Sequence, residues 1–195
     1  MLLNGKMKNI AYFENIHLVI IDYIKNAQNQ VLIAVAWFSD KDIYEALLSK
    51  KKKDNITVKI ILANHEFNQK GVIDFGSLIK LGGTIDLIGE NGNNKTRLMH
   101  NKFCLIDNNI VINGSFNWSY KARLNDENIV VIEDDFLLFN QFLNKFEEIN
   151  PTQQLSVSSS GEVVIIDRIV EKWQQKSVLS INSFEKTLNN ISSKF

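Results

Sequence analysis

The chain has 195 residues and equal numbers of basic and acidic side chains, 22 of each, so no overall field draws it onto nucleic acid or membrane. Its 45% hydrophobic and 23% charged content is that of an ordinary globular protein and excludes a disordered or fibrous chain. A single cysteine, Cys104, excludes an internal disulfide framework and any Cys-based zinc site.

The length suits one domain of ordinary size with an appendage. No charged, then apolar, then small-residue leader opens the sequence, so secretion is not expected. The longest apolar stretches, 31–38 and 18–21, fall short of the roughly 20 residues a membrane span needs. A cytoplasmic protein without a membrane span is the expectation.

In chain order, Ile16, Val19, Ile20, Tyr23, Ile24 and Ala27 recur at helical spacing. Residues 31–38 form an apolar run sized for a buried strand. Ser39 and Asp40 are capping types ahead of an amphipathic stretch over 43–48. Residues 56–62 are β-branched and predict a strand, and a helix through Val72, Phe75 and Ile79 ends at Gly82-Gly83. A strand over 84–88 follows, then a glycine- and asparagine-rich loop over 89–94. Strands are predicted over 102–106, 110–112 and 129–133, and a last amphipathic helix runs from Asp134-Asp135 through Phe139, Phe142 and Phe146. This alternation predicts an α/β domain over residues 1–150, with helices on both faces of a mixed β-sheet.

The only proline, Pro151, opens a polar, serine-rich stretch over 151–161 that reads as a linker. Beyond it, residues 162–195 read as a C-terminal helical tail. Ile166, Ile169, Val170 and Trp173 repeat at helical spacing, as do Ile181, Phe184, Leu188, Ile191 and Phe195. Three occupants suit so apolar a tail: its own domain, a twin in a dimer, or another protein.

Charge is uneven along the chain. Over 92–123, Lys95, Arg97, Lys102, Lys121 and Arg123 face one acid, Asp107; over 124–149, seven acids face only Lys145. A local basic patch on a neutral chain points to an anion site. Its centre is His100-Asn101-Lys102-Phe103-Cys104-Leu105-Ile106-Asp107, followed after six intervening residues by Gly114-Ser115-Phe116-Asn117. Alternation along a strand puts His100 and Lys102 on one face, an imidazole beside a fixed cation. Gly114 lets backbone approach an anion, while Ser115 and Asn117 offer hydroxyl and amide donors.

These residues resemble the signature of the phospholipase D superfamily, H-x-K-x4-D followed by G-S-x-N, with all six fixed positions present. Asn125-Asp126-Glu127-Asn128 is similar to the acidic segment that follows the motif in the superfamily's small bacterial nucleases. The likeness covers roughly residues 10–149 and implies a phospholipase D-like α/β fold. Most members pair two motifs across one active site, whereas this chain carries one; neither His17 nor His65 has a lysine two positions on. The single copy resembles the short nucleases that assemble as homodimers, and implies the same here.

The resemblance assigns the catalytic set to His100, Lys102, Asp107 and Glu127, and phosphate binding to Lys102, Ser115 and Asn117. One His100 attacks phosphorus and forms a phosphohistidine; its twin protonates the leaving oxygen and then activates water. Glu127 is expected to orient the His100 ring. Asp107, at the strand's end, suits fixing a local turn more than touching substrate. With lysines neutralising the phosphate, no metal and no cofactor are expected.

The reading is a metal-independent nuclease of DNA. Its alternatives are a phospholipid phosphodiesterase and a non-catalytic nucleic-acid-binding or scaffold subunit of a larger, defence-type complex, with residues 162–195 recruiting a protein partner. Cys104 reads as a buried, inert thiol, and Trp37 and Phe38 read as core. Trp118 could stack a base or pack beneath its loop. The lysines of 50–53 read as a solvated helix end.

Overall fold

The structure is a computed structural model that describes residues 7–69, 71–89, 98–149 and 151–168. Its centre is β2 (Gln30–Val35), buried from Val31 onward. A strand with no polar face needs cover above and below. On either side, β2 pairs in parallel with β3 (Thr57–Ala63) and antiparallel with β5 (Lys102–Ile106). The sheet extends through β4 (Thr84–Ile88) on one flank. On the other it extends through β6 (Ile110–Gly114), β7 (Ile129–Glu133) and β1 (Lys8–Tyr12). Two strands after the only proline, β8 (Gln153–Val157) and β9 (Val163–Asp167), complete the β4 flank, giving the order β1-β7-β6-β5-β2-β3-β4-β8-β9 among the described residues.

Period-two alternation divides the core into two layers. Val31, Ile33, Val35, Ile60, Leu62, Cys104 and Ile106 face α1 (Ile16–Asn26), α2 (Lys41–Asp54) and α4 (Phe75–Lys80). Leu32, Ala34, Ile61, Phe103 and Leu105 face α5 (Phe136–Glu148), where Phe103 meets the rings of Phe142 and Phe146 edge-on. Helices therefore cover both faces, as the alternation predicts. Asp40 caps α2 by accepting from the backbone N–H groups of Asp42 and Ile43, and Asp135 caps α5 through Leu138. Lys51, within the lysine run, is buried and donates to the Ile56 carbonyl, closing the end of α2.

The stretch 151–161 is not a bare linker. Gln153 and Gln154 pair with Leu87 and Asp86 of β4, and Leu155 enters the core. A strand at a sheet margin needs few apolar residues, so its polar composition hides it. The first residues of 162–195 form β9, hairpinned on β8 about a turn with Gly161 at φ 87°; pairing with the preceding strand overrides the helical spacing of Ile166. Arg168 pins the end of this hairpin to Asp86, with Nη1 to Oδ2 at 2.9 Å. The expected tail pattern from Ile169 to Phe195 lies outside the described residues.

Smaller departures occur elsewhere. β2 stops at Val35, and Phe38 instead makes a single bridge to Trp118. The helix expected through Val72 begins only at Phe75, preceded by a short turn of helix, α3 (Glu66–Gln69). No described helix is long and apolar enough to cross a membrane.

Candidate active site

β5 runs antiparallel to β2, so the residues entering β5 sit beside those leaving β2: Ala36 N–H donates to Asn101 O at 3.0 Å. His100 and Lys102 therefore project at this end of the sheet, on the face shared with Cys104 and Ile106 and covered by α1 and α2. Lys102 Nζ stands 3.1 Å from His100 Nδ1 and 2.8 Å from the His100 carbonyl. The Trp37 ring meets the imidazole edge-on, centroids 5.3 Å apart and planes at 78°.

Partial burial lowers the His100 pKa below the ordinary 6.5, and the Lys102 charge lowers it further. Both effects favour the neutral imidazole, with a lone pair to offer. Burial also lowers the Lys102 pKa, opposed by the negative charge of Glu127.

Beside them lies the loop that follows β6. Gly114 has no room for a side chain: a Cβ there would stand 2.1 Å from Asn128 O and 2.7 Å from Ile129 Cα. That close approach seats Ser115 against β7. Ser115 N–H donates to Asn128 O at 3.0 Å, and Ser115 Oγ accepts from Asn128 N–H at 3.1 Å while donating to the Glu127 carboxylate. Asn125 Nδ2 donates to the other Glu127 oxygen at 3.3 Å. Asn117 has its Oδ1 buried and without a hydrogen-bond partner. A half-turn of the amide puts an Nδ2 donor there, which is the group an anionic oxygen needs.

The structure thus gathers His100, Lys102, Ser115, Asn117 and Glu127 at one end of the sheet. Glu127 departs from its expected partner: within one chain it holds Ser115 and Asn125 rather than the His100 ring. Asp107 is not in this group. It lies at the opposite end of β5, roughly 20 Å along the strand, where its carboxylate accepts from the N–H groups of Gln28, Asn29 and Gln30 at 2.6, 2.6 and 3.0 Å. The catalytic expectation for Asp107 is therefore corrected: it ties the entry of β2 to the exit of β5.

Two supports were not anticipated. Trp37, expected in the core, edges the imidazole; an aromatic residue at the carboxyl end of a central strand is the signal available for it. Arg123 bonds Asp40 through Nε at 2.6 Å and through Nη2, and bonds Asp42 at 2.7 Å, with its guanidinium 4.2 Å above the Tyr120 ring. Asp40 is completely buried. Ser39 and Asp40 also donate their N–H groups to Trp118 O, so this pair holds the chain just beyond Asn117.

Trp118 itself packs edge-on to Phe38 as part of the core, which favours the packing reading over base stacking. Cys104 is buried and burial raises its pKa, as an inert thiol requires. Among the described residues no three His, Cys, Asp or Glu side chains are grouped to hold a metal. The site offers positive charge from Lys102, a neutral imidazole and hydrogen-bond donors, a set suited to an anionic tetrahedral centre.

A family described as "Cardiolipin synthase, PLD-like domain" matches residues 20–150. The mitochondrial cardiolipin hydrolase of Chlamydomonas reinhardtii is 29% identical over 130 residues, 66% of this chain and 55% of that protein. A phospholipase D of Rickettsia typhi is 30% identical over 128 residues, 65% of this chain and 59% of its own. The chain thus spans little more than half the length of the curated relatives it matches. Among solved structures, NucT from Helicobacter pylori superposes with a TM-score of 0.63 at 27% identity, covering 74% of this chain and 96% of that one. The phospholipase D family member Nuc from Salmonella typhimurium gives 0.61 at 20% identity, covering 84% and 100%, a likeness of fold.

Proposed function

The chain belongs to the phospholipase D superfamily of phosphodiesterases, and we propose that this member cuts DNA without a metal, as a cytoplasmic homodimer, through a phosphohistidine. The observation that carries the proposal is the His100 imidazole beside Lys102, Nδ1 and Nζ 3.1 Å apart at an exposed strand end, with the imidazole pKa lowered by burial and by the lysine.

A phosphodiester resists attack because its non-bridging oxygens carry negative charge. Lys102 neutralises them and the Asn117 amide holds them, joined by the Ser115 hydroxyl as it turns from Glu127. As Lys102 turns from Nδ1 to a phosphate oxygen, the imidazole is freed to attack. A nitrogen–phosphorus bond forms, the bond to the leaving oxygen breaks, and a proton passes to that oxygen. Water then attacks phosphorus, the nitrogen–phosphorus bond breaks, and the acid that gave its proton takes one from the water.

One imidazole cannot be the nucleophile and the leaving-group acid in the same step. The single motif therefore supports a site shared by two copies, each contributing His100, Lys102, Ser115 and Asn117. Two such imidazoles about one phosphate titrate as a coupled pair. Across that junction, Glu127 is the carboxylate available to steady a charged ring.

Cleavage of plasmid and single-stranded DNA with EDTA present, by wild type and His100→Ala, tests the proposal. It requires cutting by the wild type and none by the variant; cutting that stops with EDTA and returns with magnesium contradicts it. The names of the cardiolipin hydrolase and phospholipase D relatives favour a second reading, a phospholipid phosphodiesterase. Release from phosphatidyl lipids without DNA cutting replaces the first reading with the second. An effect in the cell that survives His100→Ala points instead to a binding or scaffold subunit.

A further inference from the structure

Beside the catalytic residues the surface opens into a groove of about 670 Å³ lined by Ser39, Lys41, Phe67, Gly71, Val72 and Tyr120. We propose that this groove stacks an unpaired nucleobase of the strand whose phosphate lies at His100; the proposal rests on the nuclease reading and sharpens it toward single-stranded substrate.

The position follows from the chain path. Ser39 is two residues beyond Trp37, whose ring lies against His100, so about 7 Å of backbone at most separates that wall from the residue touching the imidazole. The same wall is bonded to the motif loop, because Ser39 N–H donates to Trp118 O at 2.7 Å, one residue beyond Asn117. A nucleotide held by its phosphate at His100 has its neighbouring base within reach of the groove.

The lining has the right chemistry. Phe67, Val72 and Tyr120 are 51%, 61% and 55% exposed, three large apolar side chains left open in one place. The Arg123 guanidinium covers one face of Tyr120 and is itself anchored by Asp40 and Asp42, so that ring is held in position. Gly71 folds tightly beneath Phe67: a Cβ there would meet the Phe67 carbonyl oxygen at 2.4 Å. Only glycine allows that turn, which sets the wall carrying the Phe67 ring. Lys41 supplies a cation for an adjoining phosphate, and Ser39 a hydroxyl for a base edge.

Base faces stack on exposed rings in this way when they are unpaired, and the contact tolerates any sequence. A phosphatidyl lipid fits less well. Its acyl chains gain about 0.8 kcal/mol for each methylene buried, and an open groove with three apolar residues leaves most of them wet.

The test is equilibrium binding of a fluorescent single-stranded oligonucleotide to the full-length His100→Ala protein and to His100→Ala/Phe67→Ala. The Kd for the base-bearing strand is expected to rise roughly tenfold on losing the ring, whereas an abasic strand of equal length should bind both proteins alike. Lys41→Gln in the same background should lower the slope of log affinity against log salt by about 0.7. Equal affinity of the two proteins for the base-bearing strand overturns the subsite, as does an equal loss on the abasic strand. If wild type cuts DNA while either of those results is found, the nuclease reading stands and the subsite alone falls. If wild type neither binds nor cuts DNA but turns over phosphatidyl lipid, both fall.

Discussion

Replacing Asp107 should unsettle the fold and spare the chemistry. Its carboxylate accepts three backbone N–H groups, from Gln28, Asn29 and Gln30, at the entry of the central strand. The residue sits at φ 51°, a left-handed conformation that Asp and Asn tolerate and alanine does not. Hydrogen bonds to a charged acceptor contribute about 1.5–3 kcal/mol when well buried; at this half-exposed site we take about 1 kcal/mol for each of the three. Asp107→Ala adds roughly 1 kcal/mol of backbone strain, for a total of about 4 kcal/mol. For a chain of this size that lowers the Tm by about 12 °C. Asp107→Asn keeps the backbone conformation and one accepting oxygen, and should lower the Tm by only about 4 °C. Differential scanning calorimetry gives the Tm values, and kcat/KM is measured well below both transitions, where it should stay within about threefold of wild type. A loss of about a hundredfold in kcat/KM, the scale of a lost acid or base, with the Tm unchanged, refutes the structural role and returns Asp107 to the chemistry.

Gly114→Ala forces a Cβ to 2.1 Å from Asn128 O; urea denaturation should show a destabilised protein, and activity should fall because Ser115 and Glu127 are displaced together. His100 should titrate below 6.5 by NMR, and Lys102→Met should move it upward by removing a positive neighbour, with burial still holding it down. A wild-type value above 6.5, or a downward move in the variant, contradicts that electrostatic account. Arg123→Ala leaves the completely buried Asp40 without its cation; a loss of about 3 kcal/mol in urea denaturation is expected, and one under about 0.5 kcal/mol refutes the anchoring role.

The centre of this fold is legible in the sequence because its strands are buried on both faces. The predicted bounds 84–88 and 102–106 coincide with β4 and β5, and 129–133 coincides with β7, where Ile129 and Val131 alternate onto one buried face. The margins are not legible. β1, with its mostly exposed KNIAY, and β8, with Leu155 as its one buried residue, exist by virtue of partners distant in sequence. β9 misleads further, since Ile166 falls in step with the apolar residues that follow it and the helical period masks a strand. In the site, spacing alone places His100 and Lys102 on one face. It also puts Asp107 at the strand's end, but it cannot show that this carboxylate accepts from the entry of β2, nor that Glu127 meets Ser115 between β6 and β7. Trp37 looks like any apolar strand residue until β5 brings His100 alongside it. Each of these depends on which strands become neighbours, a tertiary property.

The central claim is that two copies of His100 serve one phosphate. Wild-type and His100→Ala subunits can be unfolded, mixed in known ratios, refolded and assayed for DNA cleavage at constant total protein. If each site needs both imidazoles, activity follows the square of the wild-type fraction, so an equal mixture retains about a quarter. A linear dependence, with about half retained, means that each subunit works alone and contradicts the account.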